Sequence, residues 1–235
     1  MRKSSRSVFG TLFACTLGGC SGFPATSDIH VDDSNVFVPN VRASLNLTGA
    51  KETPSEPRSG HGIEFLALTA SGMGSQSISG QPPVVWGGKT FSSPQTLQHD
   101  FRFSYYDVSY RWRRFFHGGP VGLEVLAGAA YATLGLTVSS PTQQATETFS
   151  SSGLSSGVGL IWLVRLGSSV QARYTFIGAS NSLQRVEGFL VQALGRNVSM
   201  RAGFVWWKVD AVSAGPQSEI LMQFSGPSLG LDLQF

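Results

Sequence analysis

The residues of this chain equipped to do chemistry are few, and their spacing is regular. Arg111, Glu124, Arg165, Arg173, Arg201 and Asp232 each stand within about five residues of a short connection or of the last residue, Phe235. Between those connections the sequence alternates in polarity, so each of the six falls on the more polar face of a segment with a side-chain period of two. At a common level they would form one layer of guanidinium and carboxylate groups. Ionised groups held together away from water must pair. Such a layer supports either a substrate or proton site or a structural plug of ion pairs, and a narrow enclosure filled by side chains favours the plug.

Nucleophilic and metal chemistry have less to work with. The histidines are His30, His61, His99 and His117. The first two lie in or near an irregular N-terminal stretch, His99 falls in a long connection and His117 in a tight turn. None is placed to deprotonate Ser180, and a serine without a base is not activated. No His/Cys spacing of a metal site occurs, and no phosphate-binding loop. Gly157-Val158-Gly159 falls inside an alternating segment, where glycine relieves crowding. No catalytic residue, cofactor or metal is expected.

The elements that must hold the six charges are strands. Eight segments have period-two character, at about 63–72, 100–114, 121–138, 153–166, 169–179, 184–194, 197–210 and 219–235. Each is as long as the roughly 9 to 11 residues that a tilted strand needs to cross a bilayer. On the third, Val121 to Tyr131 put large apolar residues outward with Gly122 and Glu124 inward. The fourth turns Val158, Leu160, Trp162 and Val164 outward, the fifth Val170, Ala172, Tyr174 and Phe176, the seventh Met200, Ala202, Phe204 and Trp206. On the second strand the alternation breaks at Tyr105-Tyr106, which predicts a bulge, after which Asp107, Ser109, Arg111 and Arg113 face inward. Short joints at Phe116 to Pro120, Gly167-Ser168 and Gly195-Arg196 alternate with longer, polar ones at roughly 73–99, 139–152 and 211–218; the joint at 180–183 is short. No run of 18 apolar residues exists, so transmembrane helices are not expected.

The N-terminus carries a different signal. Arg2, Lys3 and Arg6 precede a short apolar stretch, Val8 to Leu17, that ends in Leu17-Gly18-Gly19-Cys20. This resembles the lipobox of bacterial lipoproteins. The resemblance implies cleavage before Cys20 and a thioether-linked diacylglycerol on Cys20; Ser21, in place of Asp, implies sorting to the outer membrane. Residues 1–19 are then a signal peptide, 20–60 a lipidated periplasmic tether and 61–235 the folded part. Within the tether only Val41 to Leu47 alternates, and it is either an extra strand or a misplaced boundary. Loss of the signal leaves 14 Lys+Arg against 14 Asp+Glu, so the mature chain is neutral and nucleic acid is not an expected partner. Cys15 leaves with the signal, and no thiol remains for a disulfide or a nucleophile.

The strand pattern, the alternation of short and long joints, and the ending Leu229-Gly230-Leu231-Asp232-Leu233-Gln234-Phe235 resemble the small eight-stranded outer-membrane barrels of the OmpA and OmpX type. That resemblance implies an all-β, eight-stranded, antiparallel, up-and-down transmembrane barrel in the Gram-negative outer membrane. It implies outer-membrane lipid as a partner and Phe235 as the handle for the barrel assembly machinery. Both chain ends are then periplasmic, and counting Val41 to Leu47 as a ninth strand would separate them across the membrane, so parity argues against it. Trp112, Phe115 and Phe116, the pair Trp206 and Trp207, and Phe235 are expected as interfacial anchors. Val84, Val85 and Trp86 on the first long loop either form a contact surface for a ligand not identified by the sequence or pack over the barrel mouth. Ser180-Asn181 followed by Glu187 loosely resembles the catalytic strand of lipid A deacylases, but Gly178 stands where the histidine would be. The function expected is structural or surface-interacting, without a wide pore. A lipid-modifying enzyme and a soluble periplasmic barrel binding an apolar ligand are the alternatives.

Overall fold

The computed structural model describes residues 29–33, 35–48, 59–79, 83–116, 119–165, 167–178, 182–212 and 219–235. Among them every regular element is a β-strand: β1 (Ile29–Asp33), β2 (Val38–Thr48), β3 (Gly60–Ile78), β4 (Val84–Trp86), β5 (Lys89–Phe91), β6 (Gln95–Phe115), β7 (Val121–Ser139), β8 (Gln144–Arg165), β9 (Ser168–Gly178), β10 (Ser182–Ala193), β11 (Val198–Val212) and β12 (Glu219–Gln234). The strands β2, β3 and β6 to β12 form a closed ring in that order.

The ring therefore has nine strands, not eight. All eight predicted segments are present, most of them longer than predicted. The ninth is β2, which contains Val41 to Leu47 and pairs on one side with β3 and on the other with β12. Nine is odd, so one neighbouring pair must be parallel. That pair is β2 with β12, from Val38 beside Ser228 to Ser44 beside Gln234. Just before it, β1 also runs parallel to β12, from Ile29 beside Ile220 to Asp33 beside Phe224. The register offset changes by one residue between β1 and β2, so a single extra residue separates two stretches of one N-terminal strand. Both strands fall within 20–60, which thus contributes to the barrel wall. At the foot of the seam Phe235 donates its N–H to the carbonyl of Ser44 at 2.9 Å.

The barrel has a turn end and a loop end. Phe235 and the facing ends of β2 and β3, β6 and β7, β8 and β9, and β10 and β11 lie at the turn end. Ile29 and the facing ends of β3 and β6, β7 and β8, β9 and β10, and β11 and β12 lie at the loop end. The long loop between β3 and β6 holds the hairpin β4–β5. Its turn places Gly87 and Gly88 at φ of 53° and 71°, the left-handed pair that a two-residue hairpin turn requires.

The faces of the strands invert partway along the barrel. On β7 the outward residues Val121, Leu123, Val125, Ala127, Ala129 and Tyr131 are apolar and continue as Thr133, Gly135, Thr137 and Ser139. The inward ones begin with Gly122 and Glu124 and end as Ala132, Leu134, Leu136 and Val138. On β6 the outward series from Trp112 to Tyr106 gives way to Ser104, Arg102, Asp100 and Gln98. The inward series changes from Arg113, Arg111, Ser109 and Asp107 to Tyr105, Phe103 and Phe101. On β8 the outward Leu154 to Val164 gives way to Ser152, Ser150, Thr148 and Thr146, and on β11 Trp206 gives way to Lys208 and Asp210.

No bulge exists at Tyr105-Tyr106: the pairing of β6 with β3 and with β7 is continuous through both residues. Two large side chains are adjacent there because the outside is apolar below that point and the inside is apolar above it. For the same reason Trp207 is not an exterior anchor. It points inward and is 0% exposed, while Trp206 faces out. His99 is likewise part of β6, inward and buried, and not in a loop.

Candidate functional site: a lumen closed by ions and aromatic rings

The inward polar residues near the turn end form the expected layer, larger than the sequence indicated. Glu64, Glu124, Glu187 and Asp232 are buried with Arg42, Arg111, Arg113, Arg173, Arg185 and Arg201. Strand register brings them together. Arg113 lies opposite Glu124, Glu124 opposite Gly159, Gly159 opposite Arg173 and Arg173 opposite Glu187, one row across β6 to β10. Asp232 lies opposite Arg42 across the parallel seam. Gly159 leaves room for the row, since a Cβ there would stand 3.4 Å from Glu124 Oε1.

Arg173 is the hub. It donates to Glu64 and Glu124 and lies 3.7 Å from Glu187 Oε1. Glu124 also accepts from Arg113 Nη2 at 2.7 Å. Glu187 accepts from Arg42 Nη2 at 2.8 Å and from Arg201 Nη2 at 3.3 Å, and Arg201 Nη1 reaches Asp232 at 3.4 Å. Arg42 Nε is 3.2 Å from Glu64, and Arg111 donates to Asn46 at 2.8 Å. One layer up, Asp107 accepts from Tyr105 and Ser109. Burying so many ions is tolerable only because each of the four carboxylates has at least two guanidinium groups within 4.0 Å.

Of the six sequence candidates, Arg111, Glu124, Arg173, Arg201 and Asp232 all join this layer. Arg165 ends β8, and its side chain lies outside the described residues. Ser180, Asn181, His117 and Cys20 also lie outside them. Sequence reasoning missed Arg42, Glu64, Arg185 and Glu187 as members and had Arg113 facing inward without placing it in the layer. Strand tilt explains the gap: residues at one height sit at different distances from their turns, so Glu187, eight residues from Gly195, shares a level with Glu124. The available signal was the alternation Arg185-Val186-Glu187, and Val41-Arg42-Ala43 in β2.

Above the ions the lumen is filled by rings. Phe103 of β6 meets Trp207 of β11 edge-on at 5.0 Å and Phe224 of β12 at 5.3 Å, while Tyr105 meets Trp207 at 4.9 Å. These strands are not neighbours of β6, so the contacts span the bore and shut it. Arg185 joins the two layers, its guanidinium 5.2 Å from the Tyr105 ring and 5.5 Å from the Trp207 ring. Near the turn end a cavity of about 20 Å³ remains beside Arg42, Arg111, Arg113 and Asp232, room for roughly one water.

The β4–β5 hairpin caps the loop end. Val84 and Trp86 are buried, Trp86 against Phe149 at 5.7 Å between ring centroids, whereas Val85 faces solvent. The cap is pinned to β8 and its preceding turn by Gly87 N–H to Glu147 at 2.9 Å, Lys89 Nζ to the Gln144 carbonyl at 2.7 Å, and Gln143 Nε2 to the Thr90 carbonyl at 2.7 Å. Packing over the mouth thus occupies Val84 and Trp86, whereas the Val85 side chain is exposed. Trp86→Ala removes the anchor ring, a large-to-small change that typically costs about 3–5 kcal/mol. Trypsin is expected to cut at Lys89 in the variant while the ring of nine strands stays resistant; unchanged resistance at Lys89 would contradict the anchoring role.

Comparison with protein-family models, with curated proteins and with solved structures returns no match. Among the described residues no group of three or more His, Cys, Asp or Glu is placed to hold a metal ion.

Proposed function

We propose that the protein is a Gram-negative outer-membrane barrel lipoprotein with a structural or surface-interaction role and no wide pore. The observation that carries the reading is the inversion of the strand faces. A barrel in water throughout would keep a polar exterior along its whole length. Here the exterior is apolar from the turn end up to Tyr106, Tyr131, Leu154 and Trp206, and polar beyond. Val121 to Tyr131 is ten residue steps, which at about 3.3 Å per residue and a tilt near 40° makes a belt roughly 25 Å tall, the height of an outer-membrane hydrocarbon core. Tyr106 and Tyr131 are cross-strand partners, both exposed, at its upper margin, where interfacial aromatics belong.

The interior accounts for the absence of a channel in this reading, since ions fill it at one level and rings at the next. What lies outside the belt is left for interaction: the Ser- and Thr-rich outer faces of β7 and β8, the charged outer face of β6 with Arg102 and Asp100, and the rim around Val85. Outer-membrane lipid contacts the belt. Phe235, largely exposed at the end of β12, is the handle for the assembly machinery, and Cys20 carries the lipid.

The test is heat-modifiability of the detergent-extracted outer-membrane protein on a gel, wild type against Cys20→Ala. A compact band that shifts only on boiling is expected for both. Release of Cys20→Ala by alkali, with no heat shift in either, would replace this reading with a soluble barrel lipoprotein.

A further inference from the structure

The direction of β1 and β2 decides which side of the membrane the mature N-terminus occupies. In an even-stranded barrel both ends emerge together. Here the first strand is parallel to the last, so the chain enters the wall at the loop end, at Ile29, and leaves it at the turn end, at Phe235. The N-terminal strand crosses the belt on its way. Its outward residues Phe37, Val41, Leu45 and Leu47 are exposed and apolar, whereas Asp32 and Asn35 above them are exposed and polar.

We infer that the segment ahead of Ile29 is displayed on the loop side of the membrane, and that the acyl group on Cys20 is seated in the outer leaflet, not in the periplasmic one. The inference rests on the membrane-barrel and lipobox readings above. Chain length supplies the argument. Cys20 precedes Ile29 by nine residues, a reach of at most about 32 Å when extended. Ile29 is eight residues from Phe37 at the upper margin of the belt, about 26 Å along the strand and roughly 20 Å along the barrel axis at a tilt near 40°. Nine residues therefore suffice to bring the lipid to that margin. The lower margin, at Leu47, is roughly 25 Å further, giving a total of about 45 Å that nine residues cannot span. The route would also draw unpaired backbone through hydrocarbon, at several kcal/mol for each unsatisfied group. The lipid is thus a second contact with the leaflet already touched by Phe37, Tyr106 and Tyr131, and it fixes the barrel at its outer rim.

The experiment is protease access in intact cells, using three full-length variants that carry the same cleavable epitope at Ser27, at Pro141 in the β7–β8 connection, or at Gly195 in the β10–β11 turn. Cleavage at Ser27 and Pro141 in intact cells is expected, with Gly195 cut only after permeabilisation, and palmitate label retained by the wild type and lost in Cys20→Ala. Protection at Ser27 with cleavage at Pro141 overturns the inference and leaves the barrel reading standing. Cleavage at Gly195 alone also overturns it, by reversing the barrel. Absence of palmitate label removes the lipid from it. Loss of the heat-shifted band in the wild type refutes the membrane barrel itself. Should an epitope block folding, Ser27→Cys, Thr142→Cys and Arg196→Cys labelled with a membrane-impermeant maleimide give the same three-way readout.

Discussion

Arg173→Met is expected to destabilise the barrel by about 3–5 kcal/mol, the range seen when one partner of a buried ion pair is removed and the other is left behind. Net charge argues the other way. The layer holds six arginines and four carboxylates, so deleting an arginine improves its formal balance. Distance decides between the two effects. Arg173 holds Glu64 and Glu124 in direct hydrogen bonds and approaches Glu187, and contacts that close outweigh a diffuse excess of charge. Arg185 is the control. It donates to Thr175 at 3.1 Å beneath two aromatic rings, and its Nε stands 3.5 Å from Glu187 without a hydrogen bond. Glu187 keeps its hydrogen bonds from Arg42 and Arg201 when Arg185 is gone, whereas Arg173 supplies direct hydrogen bonds to two carboxylates at once, Glu64 and Glu124. Arg185→Met should therefore cost less, about 2 kcal/mol, the scale of a desolvated cation–π contact. Urea unfolding midpoints in detergent, followed by tryptophan fluorescence, measure both. Equal losses in the two variants would mean that net charge, not pairing, organises the layer.

The second large effect concerns the outside. Val125 and Val158 are cross-strand partners near the middle of the belt, both exposed. In lipid, Val125→Arg should cost about 2–4 kcal/mol, the penalty for a cation on the lipid face near the bilayer midplane. Thr148→Arg, outward on β8 but beyond the belt, should cost under about 0.5 kcal/mol, as surface substitutions do. Refolding yield into phosphatidylcholine vesicles reads the difference. A soluble barrel would tolerate both, so a small and equal effect would contradict the membrane reading whatever the gel shows.

How legible was this in the sequence? The eight antiparallel strands were, because Val121 to Tyr131 or Val170 to Phe176 alternate cleanly over a belt that imposes one polarity outside. The ninth shows as a pattern at Val41 to Leu47, and parity argues against it only if every neighbouring pair is antiparallel. Nothing local in the sequence reveals a parallel seam; it depends on β12 arriving about 190 residues later in the pairing. The supposed bulge at Tyr105-Tyr106 has a single cause, the assumption that one polarity rule holds along a whole strand. The charge layer was found where its residues lie close to turns and missed where tilt carries them away, as with Glu187, or where the strand itself was unrecognised, as with Arg42. The aromatic plug was invisible for a related reason: Phe103, Trp207 and Phe224 look like lipid-facing residues until the inversion is known.

The inversion also guides how the strands find their register. Alternation alone tells a strand which face is which but not how far to slide. A slip of one residue exchanges the faces, whereas a slip of two restores them and goes unpunished. The point where polarity changes hands is an aperiodic mark on that periodic pattern. If β7 slid by two against β6, either Thr133 would take the place of Tyr131 beside Tyr106 and enter the apolar belt, or Tyr131 would leave the belt to stand beside Ser104. Each strand thus carries its own ruler, and the rulers agree only in the native alignment.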